Sequence, residues 1–152
     1  MIGSDKNVST LNSLIATTID SINGYRESAK EVENPRFREL FEQLAQDREQ
    51  ALTQLRAEVA RLGGEPEDDG TMAAAAHRGW VDLKSAITGR NDKAIVNEVE
   101  RGEDHIKHKF ESALEDDDLS AECRSVVQRA YESVRRGHDR ARDLKHSLEA
   151  AG

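Results

Sequence analysis

Residues 64–92, GEPEDDGTMAAAAHRGWVDLKSAITGRND, decide the fold of this 152-residue chain. The stretch is too long for a turn and too patterned for an empty loop. Thr71 can cap a helix that carries Met72, Ala76, Trp80, Leu83 and Ile87 on one face, and Gly89 can end it. About 17 residues of helix cover roughly 25 Å at 1.5 Å per residue, much of the length of a helical bundle. A connection of that kind can carry the chain back from one end of a bundle to the other, so the helices on either side of it run parallel. Trp80, with Met72 and Leu83, is expected to seal it onto the bundle.

On both sides the sequence reads as helix. Only Pro35 and Pro66 interrupt it, and apolar residues recur at three and four rather than alternating. A first helix is predicted over about 6–32, with Leu11, Leu14, Ile15, Thr18, Ile22, Tyr25 and Ala29 on one face. Asn34-Pro35 then forces a tight turn, because the residue before proline avoids the α region and proline suits a first helical turn. The second helix has the stripe Phe37, Leu40, Phe41, Leu44, Arg48, Ala51, Leu52, Leu55, Val59, Leu62, and Gly63-Gly64 supplies its left-handed stop. A third begins near Asn91 with Ile95, Val96, Val99, Glu103, Ile106, Phe110, Ala113 and ends in Glu115-Asp116-Asp117-Asp118. A fourth starts at Ser120, its cap, with Cys123, Val126, Val127, Ala130, Tyr131, Val134, His138, Ala141, Leu144 and Leu148 facing inward. Two short turns and one long crossover predict an all-α, ferritin-like four-helix bundle made of two antiparallel hairpins. It is read as a single domain over 1–152, with the crossover at 64–91.

Composition bounds the function. The formal net charge is −8, from 22 Lys+Arg against 30 Asp+Glu, and aromatic residues make up only 4%. The excess is local: Glu65, Glu67, Asp68, Asp69 and the 115–118 run hold eight carboxylates, and the rest of the chain balances. Without a basic stripe or aromatic platforms, neither nucleic acid nor an anionic membrane is an expected partner. The start carries no signal-peptide pattern and no apolar stretch reaches membrane-spanning length, which predicts a cytoplasmic protein. The single Cys123 is expected to be buried and inert. If the second and third helices are parallel, both acidic segments emerge at one end, with Arg135, Arg136, Arg140, Arg142 and Lys145 toward the other.

Several segments together resemble a known family. They are LNSLI at 11–15, GYRE at 24–27, AEVARLGG at 57–64 with Glu65-Pro66, HRGW at 77–80, RGED at 101–104 and HDR at 138–140. The chain resembles an uncharacterised bacterial ferritin-like four-helix-bundle family, a domain of unknown function, from about residue 10 to about 145. The resemblance implies the bundle fold and a bacterial cytosolic setting linked to stress, and it brings no established reaction.

A ferritin-like di-iron centre draws one Glu from each of two helices and a Glu-x-x-His from each of the other two, since i, i+3 spacing puts both ligands on one face. No Glu-x-x-His occurs here; Arg135 stands three before His138, and Arg48 sits on the second stripe. A short echo, Glu27-Ser28-Ala29 against Glu111-Ser112-Ala113, aligns Glu103 with Ile19, so the first helix lacks a matching carboxylate. No ordinary di-iron centre, resident cofactor or enzymatic activity is therefore expected. The stripes nonetheless carry Tyr25, Arg48, Glu103 and His138, one polar group per helix. The first reading is a buried network, Arg48 on Glu103 and His138 bonded to Glu103 or Tyr25, because an unpaired buried charge is costly. The alternative is a divergent iron or zinc site on Glu103 and His138, with Glu27 or Glu100 as third ligand, in a metal-binding or redox protein.

Other clusters rank lower. His105, His108 and Asp104, and likewise Asp143 with His146, have ligand spacing but face outward. The 115–118 run lacks the alternating ligands and glycine of a calcium loop. His105 with Lys107 is only a loose match to a phosphotransfer histidine. The reading that follows is a non-enzymatic bundle working as a homo-oligomer or through a protein partner.

Overall fold

The computed structural model describes residues 2–67 and 92–151, with side chains over 5–67 and 92–147. The predicted crossover helix and Trp80 lie outside the described residues, as do Asp68 and Asp69. Four helices and no strand are found among the described residues: α1 (Ile2–Glu31), α2 (Pro35–Arg61), α3 (Asp92–Leu114) and α4 (Ala121–Ala151). None is long and apolar enough to cross a membrane. Helix α1 starts earlier than its apolar stripe indicates, with Asp5 in the first turn where a carboxylate suits the helix dipole.

The punctuation acts as its chemistry requires. Asn34 caps α2, its side chain accepting from Arg36 N at 2.9 Å, with Pro35 in the first turn. At the other end Gly63 takes φ +80°, and Gly63 N and Gly64 N bond back to Ala60 O and Val59 O at 3.0 Å each. This is the Schellman pattern, which satisfies carbonyls the helix leaves open. Gly64 also sits tight on α1, since a Cβ there would lie 2.8 Å from a Val8 methyl. Ser120 caps α4, its hydroxyl accepting from Cys123 N at 3.2 Å.

The four stripes meet in one core. Among the described residues the expected apolar positions from Leu11 to Ala141 are buried, apart from the half-buried rim residues Leu40 and Leu62; Leu144 beyond them is half-buried too. Helix α1 buries a wider arc than Thr18 and its apolar neighbours, taking in Thr17, Asp20, Ser21 and Ser28. Thr17, Thr18 and Ser28 return their hydroxyls to backbone carbonyls four residues back, which makes burial affordable.

Contacts at the ends fix the topology. Lys6 pairs with Asp118 at 2.6 Å, Asn12 bonds Glu65 O and Glu67 N, and Cys123 meets Glu58. At the opposite end Asp92 accepts Glu33 N at 2.9 Å and Asn34 N at 3.0 Å. Adjacent helices are thus antiparallel in the ring α1, α2, α4, α3, and α2 runs parallel to α3, as the crossover argument expects. Glu65, Glu67 and the 115–118 run do share one end. Toward the other end two of the five expected cations have partners: Arg142 lies 3.6 Å from Asp139 and 3.9 Å from Asp143, and Lys145 pairs with Glu100 at 2.9 Å. Those cations are neutralised locally.

Candidate functional site: a charged pair in the bundle core

Arg48 enters the core from α2, where its place on the apolar stripe leaves it no route to water. Its side chain is 1% exposed and that of Glu103, from α3, is 0% exposed. Taking two ions out of water costs several kcal/mol each, so the site exists only if partners replace the lost hydration. They do so from every helix. Arg48 Nη2 donates to Glu103 Oε2 at 2.5 Å and to Val134 O of α4 at 3.4 Å, while Nη1 donates to Ser21 Oγ of α1 at 2.6 Å. The guanidinium carbon lies 5.6 Å from the centre of the Tyr25 ring, close enough for a cation–π contact.

Room for the guanidinium comes from Gly137. A Cβ at that position would stand 2.4 Å from Arg48 Nη2 and 3.2 Å from Glu103 Oε2. A glycine inside a helix costs roughly 1 kcal/mol against alanine. Here the missing side chain is the space that the ion pair fills.

Electrostatics act on Arg48 and Tyr25 in the same sense. Burial works most strongly against the Arg48 charge, but Glu103, Tyr25 and Asp47 together outweigh it and raise the guanidinium pKa, so it stays charged. Burial, and then the facing Glu103 carboxylate, push the Tyr25 phenol well above its usual value of 10. Tyr25 is therefore neutral. The cluster offers a fixed cation, a carboxylate committed to it and a phenol that does not ionise near neutral pH. It holds charge in place; it presents no nucleophile.

Arg48 and Glu103 meet as the sequence predicts, with Tyr25 against them. His138 does not join them. Its Nε2 lies 2.6 Å from Asp104 Oδ1, and its Nδ1 is 3.7 Å from Asp139 Oδ1. The reason is steric and electrostatic: the guanidinium against Gly137 already occupies the space beside Glu103, and Asp104, the next residue along α3, meets His138 at the α3–α4 edge. Of the suggested third ligands, Glu100 pairs with Lys145 and Glu27 lies 4.0 Å from Lys30. Among the described residues, no group of three or more His, Cys, Asp or Glu is arranged to hold a metal ion. His105 is half-buried and its pKa is lowered, by burial first and then by Lys109, Arg101 and His108; His108 faces outward beside Glu111.

A second polar cluster lies toward the acidic end. The Cys123 thiol is buried as expected, yet it has a partner, donating to Glu58 Oε2 at 3.3 Å. Glu58 also accepts from Arg61 at 2.8 and 2.5 Å, and that guanidinium holds the carboxyl below its ordinary value. Burial raises the thiol pKa, which disfavours the reactive thiolate.

Periodicity alone assigns no role to Ser21, Gly137 or Asp104. Gly137 had a readable signal, an isolated glycine deep in a helical pattern, which points to a close approach. Ser21 had none, since a neighbour of a stripe residue looks like any solvated position, and the spacing of Asp104 pointed to His108 rather than to His138.

The chain matches a family described as a domain of unknown function, DUF2383, over residues 6–116, and belongs to that family. A comparison with curated proteins finds no match.

Proposed function

Taking membership of DUF2383 as the premise, we propose that this chain is a non-enzymatic ferritin-like bundle of a bacterial cytosol, one domain that works by self-association or by holding a protein partner. The observation that carries the reading is the Arg48–Glu103 pair. Ferritin-like di-iron proteins place inward carboxylates and histidines around metal in the bundle core. In this chain a guanidinium takes the cation's place, 2.5 Å from the one buried core carboxylate on α3. A permanent internal cation neutralises the Glu103 charge through Oε2 and serves to fix helix register rather than to run redox chemistry.

Metal analysis of protein purified without chelator or affinity tag tests this reading. Substoichiometric metal is expected, and about two irons per chain, the complement of a di-iron site, would refute it. The metal-binding alternative on Glu103 and His138 is the weaker, since each is already bonded to a different side chain. It predicts stoichiometric metal that Glu103→Ala and His138→Ala each abolish.

A further inference from the structure

The buried ion pair does not use all of its own hydrogen-bonding atoms. The Glu103 carboxylate meets Arg48 Nη2 through Oε2, but among the described residues Glu103 Oε1 has no hydrogen-bond partner, and neither has Arg48 Nε. Both atoms belong to side chains at most 1% exposed, so bulk solvent does not reach them. The guanidinium cannot turn to remedy this. Nη1 is already committed to Ser21 Oγ, and Nη2 to Glu103 Oε2 and Val134 O.

Buried polar atoms of native proteins are bonded either to protein or to ordered water, and a charged group left unbonded is the most costly exception. The two atoms have opposite needs, Nε–H an acceptor and Oε1 a donor. They also flank one contact. Nε shares the guanidinium carbon with Nη2, Oε1 shares the carboxyl carbon with Oε2, and Nη2 and Oε2 are 2.5 Å apart. One small group that accepts on one side and donates on the other serves both.

Charge removes the other occupants. A metal cation would bind Oε1 but cannot accept from Nε–H, and it would stand beside a guanidinium. An anion would accept from Nε–H but face a carboxylate with nothing to donate. A proton on Oε1 would leave Nε unmet and discharge the pair. The Tyr25 phenol faces the carboxylate, but it is the ring that lies over the guanidinium, 5.6 Å from centroid to Cζ, and the phenol does not serve Nε.

We infer that a single water molecule is built into the bundle core beside the ion pair, accepting from Arg48 Nε and donating to Glu103 Oε1, with the Tyr25 phenol as a further polar neighbour. Water is neutral, both donor and acceptor, and small enough for a close-packed interior. It joins α2 to α3 a second time, alongside the direct contact, so the register device is a hydrated network. The inference rests on the reading of Arg48 as the resident cation of the core and adds the solvent molecule that completes it.

A crystal structure of the full chain at about 1.5 Å resolution reads this directly, with a density peak expected about 2.7–3.2 Å from both Nε and Oε1. Water-oxygen magnetic relaxation dispersion, comparing the parent with Arg48→Met/Glu103→Leu, supplies a second readout: the variant should lose the amplitude of one long-lived water. The crystal arm needs no variant and decides even where the double variant does not fold. An intact pair with no peak beside it, or with Nε and Oε1 closed onto protein groups, would overturn the water and leave the ion pair standing. An unchanged dispersion amplitude in the folded double variant would overturn it too. A metal ion on Glu103 with Arg48 displaced would overturn both the water and the resident cation.

Discussion

Gly137 sets two rules of protein chemistry against each other. Helix propensity says that Gly137→Ala should stabilise α4 by about 1 kcal/mol. Packing says that a methyl 2.4 Å from Arg48 Nη2 must push the guanidinium off Glu103. The second effect is larger, because overpacking costs about 1–3 kcal/mol and displacing a buried pair adds to it. Gly137→Ala is therefore expected to lower the urea-unfolding free energy by about 2 kcal/mol or more; a rise would show that the pair tolerates displacement. The pair itself should show strong coupling. Arg48→Met alone strands a buried carboxylate and should cost about 3–5 kcal/mol, whereas Arg48→Met with Glu103→Leu should recover most of that loss. Both charged residues were legible in the sequence as polar interruptions of apolar stripes. Their partners were not, since Ser21 and Val134 O are reached by side-chain length and rotamer, which periodicity does not encode.

At the scale of elements, helix boundaries were readable wherever a cap has its own chemistry. Asn34-Pro35, Gly63-Gly64 and Ser120 each fall where the chain turns. What escaped the sequence is how ends meet across the bundle. Asp92 opens α3, yet its carboxylate accepts the amides of Glu33 and Asn34 and so ties α3 to the α1–α2 turn. Asp92→Ala removes two charge-assisted bonds and should cost about 2–3 kcal/mol in chemical denaturation. At the acidic end the Glu58 carboxyl is lowered from its ordinary 4.5, chiefly by the Arg61 hydrogen bonds and then by the Cys123 thiol against the opposing effect of burial. A lowered folded pKa gives stability that is fully present above about 4.5 and fades as pH falls through the folded value. Glu58→Gln should accordingly be less stable than the parent at pH 7, and the gap should close as the solution is acidified below 4. A gap independent of pH would mean that the Glu58 charge contributes nothing.

Across the whole molecule, the composition figure of −8 has become a map. The described acidic residues that the sequence grouped do share one end, because α2 and α3 run parallel. Of the five cations expected toward the other end, Arg142 and Lys145 have local partners in Asp139 and Glu100, which a charge count cannot see. At high pH a different limit applies. The raised Tyr25 pKa means the phenol stays neutral in the folded bundle while the unfolded chain ionises above about 10, so stability held below that value is lost as pH rises beyond it. Tyr25→Phe should weaken this alkaline loss. Finally, Arg48 has consequences for how the molecule comes apart. Its own hairpin supplies the guanidinium and Ser21; the other supplies Glu103 and Val134 O. A half-open form with one hairpin peeled away would leave a bare cation on one side and a bare anion on the other, both in apolar clefts. That penalty empties the intermediate of population, so the two hairpins should exchange their most protected amides at one common free energy and unfold in a single transition.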